Sequence, residues 1–95
     1  QAQALKEGVK IHGCKVHFVT SQGDHGTIII QAAVQILPDD TEDTLATRVL
    51  PQEHRIYPEA VRWFMEDRLK ISNNHVEVND AIINDSVLYS PGLYK

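Results

Sequence analysis

Basic residues are in the minority in this sequence. Nine Lys and Arg stand against thirteen Asp and Glu, a formal net charge of −4 over 95 residues. That excludes a basic nucleic-acid-binding surface as the default reading. Long apolar runs are absent too. Ile28-Ile29-Ile30 is closed by Gln31, far short of the roughly 18–20 residues that cross a bilayer. One cysteine, Cys14, cannot form an internal disulfide, which suits a reducing cytoplasm. Gln1 to Lys6 lacks the basic start and apolar core of a signal peptide. Aromatics make up only 6% of the chain. What is present is ordinary for a globular protein. Hydrophobic residues at 42% and charged residues at 23% exclude wholesale disorder, and the length allows one small domain.

Gln1 to Glu7 reads as the tail of a helix, stopped by Gly8. A stop without a start leads us to expect a chain cut from something longer. Lys15 to Thr20 (KVHFVT) is β-branched and aromatic and predicts a strand. Ser21 to Gly26 is a turn-rich loop, and Thr27 to Leu37 predicts a second strand, most simply paired with the first as a hairpin. Pro38-Asp39-Asp40 opens a helix, with Asp40 as the expected N-cap and Glu42 and Asp43 in the first turn. Leu45, Val49, Ile56, Ala60 and Phe64 form its apolar stripe. Pro51 and Pro58 interrupt it, so two abutting helices and one kinked helix are both open. Asn73-Asn74 is a break. Val76–Val78 and Ala81–Ile83, flanking Asn79-Asp80, predict a small terminal hairpin. The class is mixed α and β.

Read without relatives, the candidate chemistry is sparse. Asp24 lies in a glycine-containing loop after a strand, where α/β sites form. A hairpin turn whose Asp caps its own backbone is the better reading of that pattern. His12, Cys14 and His17 do not converge as metal ligands, because strand alternation sends His17 to the opposite face. No metal is expected. Cys14 has no activating neighbour except Lys15. Glu53 and His54 default to exposed helix surface. Arg55, Glu59 and Arg62 default to a solvent face with helix-spaced ion pairs. Tyr57, Trp63 and Phe64 read as core or interface.

Three segments in order change this. Val16-His17-Phe18-Val19-Thr20 is followed by Asp24-His25-Gly26-Thr27-Ile28-Ile29-Ile30-Gln31, and then by Gln52-Glu53-His54-Arg55-Ile56-Tyr57-Pro58. Nearly the whole chain, including Trp63-Phe64 and Arg68-Leu69-Lys70, resembles the C-terminal half of the bacterial phosphoribosylglycinamide formyltransferases. The first two segments mark formyltransferases broadly, and QEHxIYP points to the glycinamide ribonucleotide branch.

The resemblance implies a single partial domain, residues 1–95, of a Rossmann-like formyltransferase fold. It implies 10-formyltetrahydrofolate as co-substrate and formyl transfer to glycinamide ribonucleotide. It makes Asp24 the catalytic aspartate, which raises the pKa of a histidine not found in this chain. It makes His17 an orienting residue beneath the loop. Thr20, Ser21, Gln22, Gly23 and Asp24 would receive the pterin, largely through backbone groups. Glu53, with Gln52 alongside, would hold the ribose hydroxyls. Leu50 and Pro51 depart from the polar residues common there, and His25 from a small one. The family's phosphate loop and its catalytic Asn and His have no counterpart in this sequence. The 95 residues alone are therefore expected to be inactive, to bind the missing N-terminal half, and to form a homodimer without it. Small molecules are the expected partners, not nucleic acid or membrane. Two alternatives remain: a non-catalytic self-associating binding module, and half of a formyltetrahydrofolate deformylase, against which QEHxIYP argues.

Overall fold

The computed structural model describes residues 1–19, 26–83 and 87–93. A short helix, α1 (Ala2–Glu7), ends on Gly8. Gly8 turns left-handed at φ 71° and returns its N–H to the Leu5 carbonyl at 3.3 Å, a conformation that glycine adopts without a Cβ clash.

Two strands follow, β1 (Ile11–His17) and β2 (Ile28–Gln35), paired antiparallel from Ile11↔Gln35 to His17↔Ile28. The expected hairpin pairing is present, with different limits. β1 starts four residues before Lys15, because Ile11 and His12 find partners in Gln35 and Val34. It stops at His17, where the register shifts between Val16 and His17. Thr20 lies outside the described residues. A ladder partner overrides the weak local propensity of His12 and Gly13. Gly13 has a reason to be glycine, since a Cβ there would stand 1.9 Å from the Ala32 carbonyl oxygen.

The chain then enters one helix, α2 (Glu42–Met65), which runs through both Pro51 and Pro58. Each proline removes one backbone donor, freeing the carbonyls of Thr47 and His54 four residues before. Thr47, Pro51, His54 and Pro58 are all exposed, and a freed carbonyl that faces water does not carry the cost of a buried unpaired one. Asp40 is not its N-cap. Thr41 is, in a reciprocal box with Thr44: Thr44 N–H donates to Thr41 Oγ1 at 3.2 Å, and Thr41 N–H donates to Thr44 Oγ1 at 2.8 Å.

Asp40 is committed elsewhere. It accepts from the Leu37 N–H at 2.7 Å, the Thr44 hydroxyl at 2.9 Å and both ends of the Arg48 guanidinium. Arg48 also donates to the Gln35 carbonyl at 2.7 Å, tying the end of β2 to α2. The Arg48 hydrogen bond, helped by Leu37 and Thr44 and opposed by burial, holds the Asp40 carboxyl well below the usual carboxylate range. A depressed folded-state pKa stabilises the fold above the unfolded value, about 3.9. That contribution is lost as pH falls through the folded value. Arg48→Ala should therefore return Asp40 to the ordinary range and move acid unfolding to higher pH. Carboxyl-carbon NMR titration and a circular-dichroism acid titration check this; an Asp40 that still titrates far below other carboxylates in the variant would contradict it.

Among the described residues, Leu45, Val49, Ile56 and Ala60 of α2 are buried, with Ala4 of α1. They are four of the five residues of the expected stripe. Phe64, the fifth, is 60% exposed and meets Phe18 edge-to-face with ring centroids 6.3 Å apart. α2 lies across both β1 and β2. On its outer side Arg62 pairs with Glu59 and, at 3.2 Å, with Glu66.

A second antiparallel pair closes the described chain, β3 (Leu69–Ser72) with β4 (His75–Val78). This corrects the expected terminal hairpin. The turn is Asn73-Asn74, not Asn79-Asp80. Both asparagines sit left-handed, at φ 48° and 68°, the two-residue geometry that matches strand twist. Ala81–Ile83 forms no strand. Arg68 instead ties Asn79 and Asp80 down through their carbonyls at 3.0 and 3.2 Å.

Candidate functional site

β1 and α2 diverge to leave a groove of about 500 Å³. Lys15 and Val16 form its strand side. Leu50, Glu53, His54, Ile56, Tyr57 and Pro58 form its helix side; Leu50, Glu53 and Tyr57, spaced three and four residues apart, share one helical face. Glu53 thus presents a carboxylate to a mostly apolar trough. Gln52 is half-buried and Pro51 exposed; neither lines the groove. The four residues assigned to the nucleotide side therefore separate into Leu50 and Glu53 in the groove and Pro51 and Gln52 outside its lining.

Cys14 lies near the same carboxylate. Burial, and then the negative charge of Glu53, push its thiol up from the usual value. A thiol held protonated is a poor nucleophile. Among the described residues, no group of three or more His, Cys, Asp and Glu is placed to hold a metal ion.

Just beyond the groove's strand side, Phe18 and Gly26–Thr27, the described residues on either side of positions 20–25, approach closely and form a narrow neck. Thr20, Ser21, Gln22, Gly23 and Asp24, all assigned to the pterin side or to catalysis, lie outside the described residues; the neck does not. Phe18 N–H donates to the Thr27 carbonyl at 3.0 Å. A Cβ on Gly26 would lie 1.3 Å from the Phe18 carbonyl oxygen and 3.3 Å from His17 Nδ1, so only glycine allows the two arms to meet. His17 is half-buried, with Nδ1 3.0 Å from the Phe18 carbonyl oxygen. With its proton on Nδ1, the ring donates to the backbone of the entry arm.

Sequence reasoning singled out His17 and Asp24 but missed Phe18 and Gly26 as the closure of the loop. The glycine of Asp24-His25-Gly26 was the available signal. Lys15, Val16 and Tyr57 as groove walls had no signal, since their proximity arises only when β1 lies on α2.

A long helix laid across an antiparallel strand pair, with a neck between Phe18 and Gly26 beside a carboxylate-lined groove, is a mixed α/β arrangement. Residues 1–61 match the formyl transferase family model, and the chain belongs to that family. It is 47% identical over 72 residues to the phosphoribosylglycinamide formyltransferase of Escherichia coli, covering 76% of this chain and 34% of that protein. The crystal structure of glycinamide ribonucleotide transformylase 1 from Symbiobacterium toebii superposes with a TM-score of 0.80 at 54% identity, over 83% of this chain and 37% of that one. A formyltetrahydrofolate deformylase from Pseudomonas syringae superposes at 0.78 with 30% identity, over 83% and 26%. The fold is that of the formyltransferases. The chain spans about a third of the length of the curated Escherichia coli relative.

Proposed function

We infer that these residues are the C-terminal portion of an enzyme that moves a formyl group from 10-formyltetrahydrofolate to the amine of glycinamide ribonucleotide, in purine synthesis in the cytoplasm. The observation that carries this reading is the groove in which Glu53, from the Gln52–Pro58 segment, meets β1. The match to glycinamide ribonucleotide enzymes at 47% and 54% identity supports it.

The amine nitrogen attacks the formyl carbon and a tetrahedral intermediate forms. The nitrogen loses a proton, the bond from carbon to the folate nitrogen breaks, and that nitrogen takes up a proton. Asp24 contributes a negative charge that favours the imidazolium form of a histidine on the remainder of the fold. That imidazolium and an asparagine would stabilise the oxyanion. His17 and Gly26 form the neck that precedes and follows the segment containing Asp24 in sequence. Glu53 accepts hydrogen bonds from the ribose hydroxyls.

A site without its oxyanion donors turns over poorly, since removing even one costs about 100- to 1,000-fold. The 95 residues alone should therefore be inactive, with the remainder of the fold as natural partner and self-association in its absence. The deformylase neighbour supports a second reading, in which water accepts the formyl group. Its identity of 30% against 54%, and the Gln52–Pro58 segment, favour the first.

Glu53→Ala tests the reading in a full-length enzyme carrying this segment. A charged hydrogen bond contributes about 1.5–3 kcal/mol. Its loss should raise the nucleotide KM by about tenfold or more, with little change in the KM for the formyl donor. An unchanged nucleotide KM in steady-state assays would return Glu53 to ordinary helix surface.

A further inference from the structure

We propose that the C-terminal segment, residues 87–93, is a releasable strap across the outer face of the β1–β2 pair, latched by the Ser90 hydroxyl. The proposal does not rest on the reaction assigned above. Its basis is a contact between the two ends of the chain. Ser90 Oγ lies 3.2 Å from the Lys10 carbonyl oxygen and 3.2 Å from Gln35 Oε1, and its proton is shared between them. Ser90 is half-buried, while residues 87–89 and 91–93 on either side of it are exposed.

Strand alternation defines the face. Val16 looks toward α2, where it lines a trough with Ala60 and Phe64. Its cross-strand partner Ile30 and the pairs Cys14–Ala32 and His12–Val34 share that side. Lys15–Gln31, Gly13–Ala33 and Ile11–Gln35 therefore face the other way. An open cleft of about 530 Å³ is lined there by Ile11, Gly13, Lys15, Gln31 and Ala33, and by Leu88 from the segment. Among the described residues, none of α2 lines it. Gly13 and Ala33, at its middle, have almost no side chain, so another stretch of chain can lie close over them.

The latch sits at a corner. The Lys10 carbonyl, just before β1, also accepts the Ile36 N–H at 2.9 Å, so both of its lone pairs are used. Gln35 is held from two sides. Ser90 meets its side chain on the outer face, and Arg48 donates to its carbonyl from α2 at 2.7 Å. The start of β1, the end of β2, α2 and the C-terminal segment are thus joined through Lys10 and Gln35. The latch is also light. Leu88, Tyr89 and Leu93 stay 66%, 53% and 70% exposed, so little apolar burial holds the segment and one hydroxyl supplies its directional contact. An element held this way opens locally, well before the whole fold does. Its release uncovers the outer face and leaves the core of α2 in place.

Native-state amide hydrogen exchange on the 95-residue chain, read by NMR, tests the strap. Ser90→Ala should speed exchange of the Ile36 amide by about fivefold, the factor that one neutral hydrogen bond is worth, with Val49 and Ile56 of α2 unchanged. Ser90→Thr, which keeps the hydroxyl, should restore the slower rate. Deleting residues 87–95 should accelerate Ile36 at least as much as Ser90→Ala. Ile36 exchange unchanged in both the alanine variant and the deletion overturns the proposal. Equal acceleration of Ile36, Val49 and Ile56 overturns it too, because that is loosening of the whole fold rather than release of a strap. A threonine variant as fast as the alanine variant removes the hydroxyl as the latch.

Two further readouts separate the strap from other roles. Ile36 exchange that slows with chain concentration, while Val49 does not, would show that the hydroxyl comes from a second copy, and overturns an intramolecular strap. In a full-length enzyme carrying this segment, Ser90→Ala should leave the nucleotide KM within about twofold, as a substitution away from the site does, because the Glu53 groove lies on the α2 side. A nucleotide KM raised beyond that would place the segment at the substrate site, and overturns the proposal.

Discussion

Asp24→Asn in a full-length enzyme carrying this segment should lower kcat by about 100-fold or more, the range that a positioned acid–base group contributes. Nucleotide affinity should change little. The amide keeps the shape of the carboxylate and its carbonyl acceptor. It loses the charge that makes a neighbouring imidazolium favourable. The histidine then titrates lower and is neutral at working pH, when it can no longer offer two N–H donors or a positive charge to the oxyanion. The limb of the pH–rate profile that belongs to the pair should therefore move to lower pH, with the plateau depressed. Steady-state kinetics across pH, with nucleotide binding followed by titration calorimetry, separate the effects. Nucleotide affinity falling in step with turnover would make Asp24 a binding residue. Turnover within a few-fold of wild type would remove it from the mechanism.

Local patterns in the sequence identified the elements whose signals are local. The helix stripe is an example: Leu45, Val49, Ile56 and Ala60 are buried as their spacing requires. Gly8 stops α1 as its position requires. Errors arose where a side chain had two uses. Asp40 has the chemistry of an N-cap, but Arg48, eight residues on, competes for its carboxyl, and Thr41 takes the cap. The terminal hairpin offered two plausible turns. Asn73-Asn74 wins because strands of four residues on either side can pair from Leu69 to Val78. Asn79-Asp80 would have had to pair Ala81–Ile83, whose isoleucines stand 91% and 87% exposed. The persistence of α2 through two prolines was not readable either. It depends on which face those residues occupy once the helix is docked. The site divides in the same way. Motifs marked Asp24, His17 and Glu53, whereas Phe18, Gly26 and the groove walls owe their roles to the pairing of β1 with β2 and its packing on α2.

When these 95 residues stand alone, they should not be a soluble monomer. Along α2, Leu50, Tyr57, Val61, Phe64 and Met65 are all exposed, with Phe64 at 60% and Met65 at 75%. Their spacings of seven, four, three and one residues keep them near one side of the helix. The row continues a wholly apolar trough of about 230 Å³ floored by Val16, Phe18, Ile29 and Ala60. The Cα radius of gyration is 15.3 Å, against about 12 Å for a compact domain of this length. At about 25 cal/mol per Å², leaving roughly 400 Å² of apolar surface in water costs about 10 kcal/mol. That equals the whole stability of many small domains. A net charge of −4 is too small to hold such faces apart. Two copies meeting through the α2 row would rebury it in an isologous interface, the same surface that the remainder of the fold would cover in the complete enzyme. Sedimentation equilibrium at micromolar concentration should give a mass near twice 10.7 kDa or above. Phe64→Glu with Met65→Glu should shift the population toward monomer, since each places a charge in the contact. A folded, cooperative species at the monomer mass would show that the helix row tolerates water, and would favour a free-standing binding module over a portion of an enzyme.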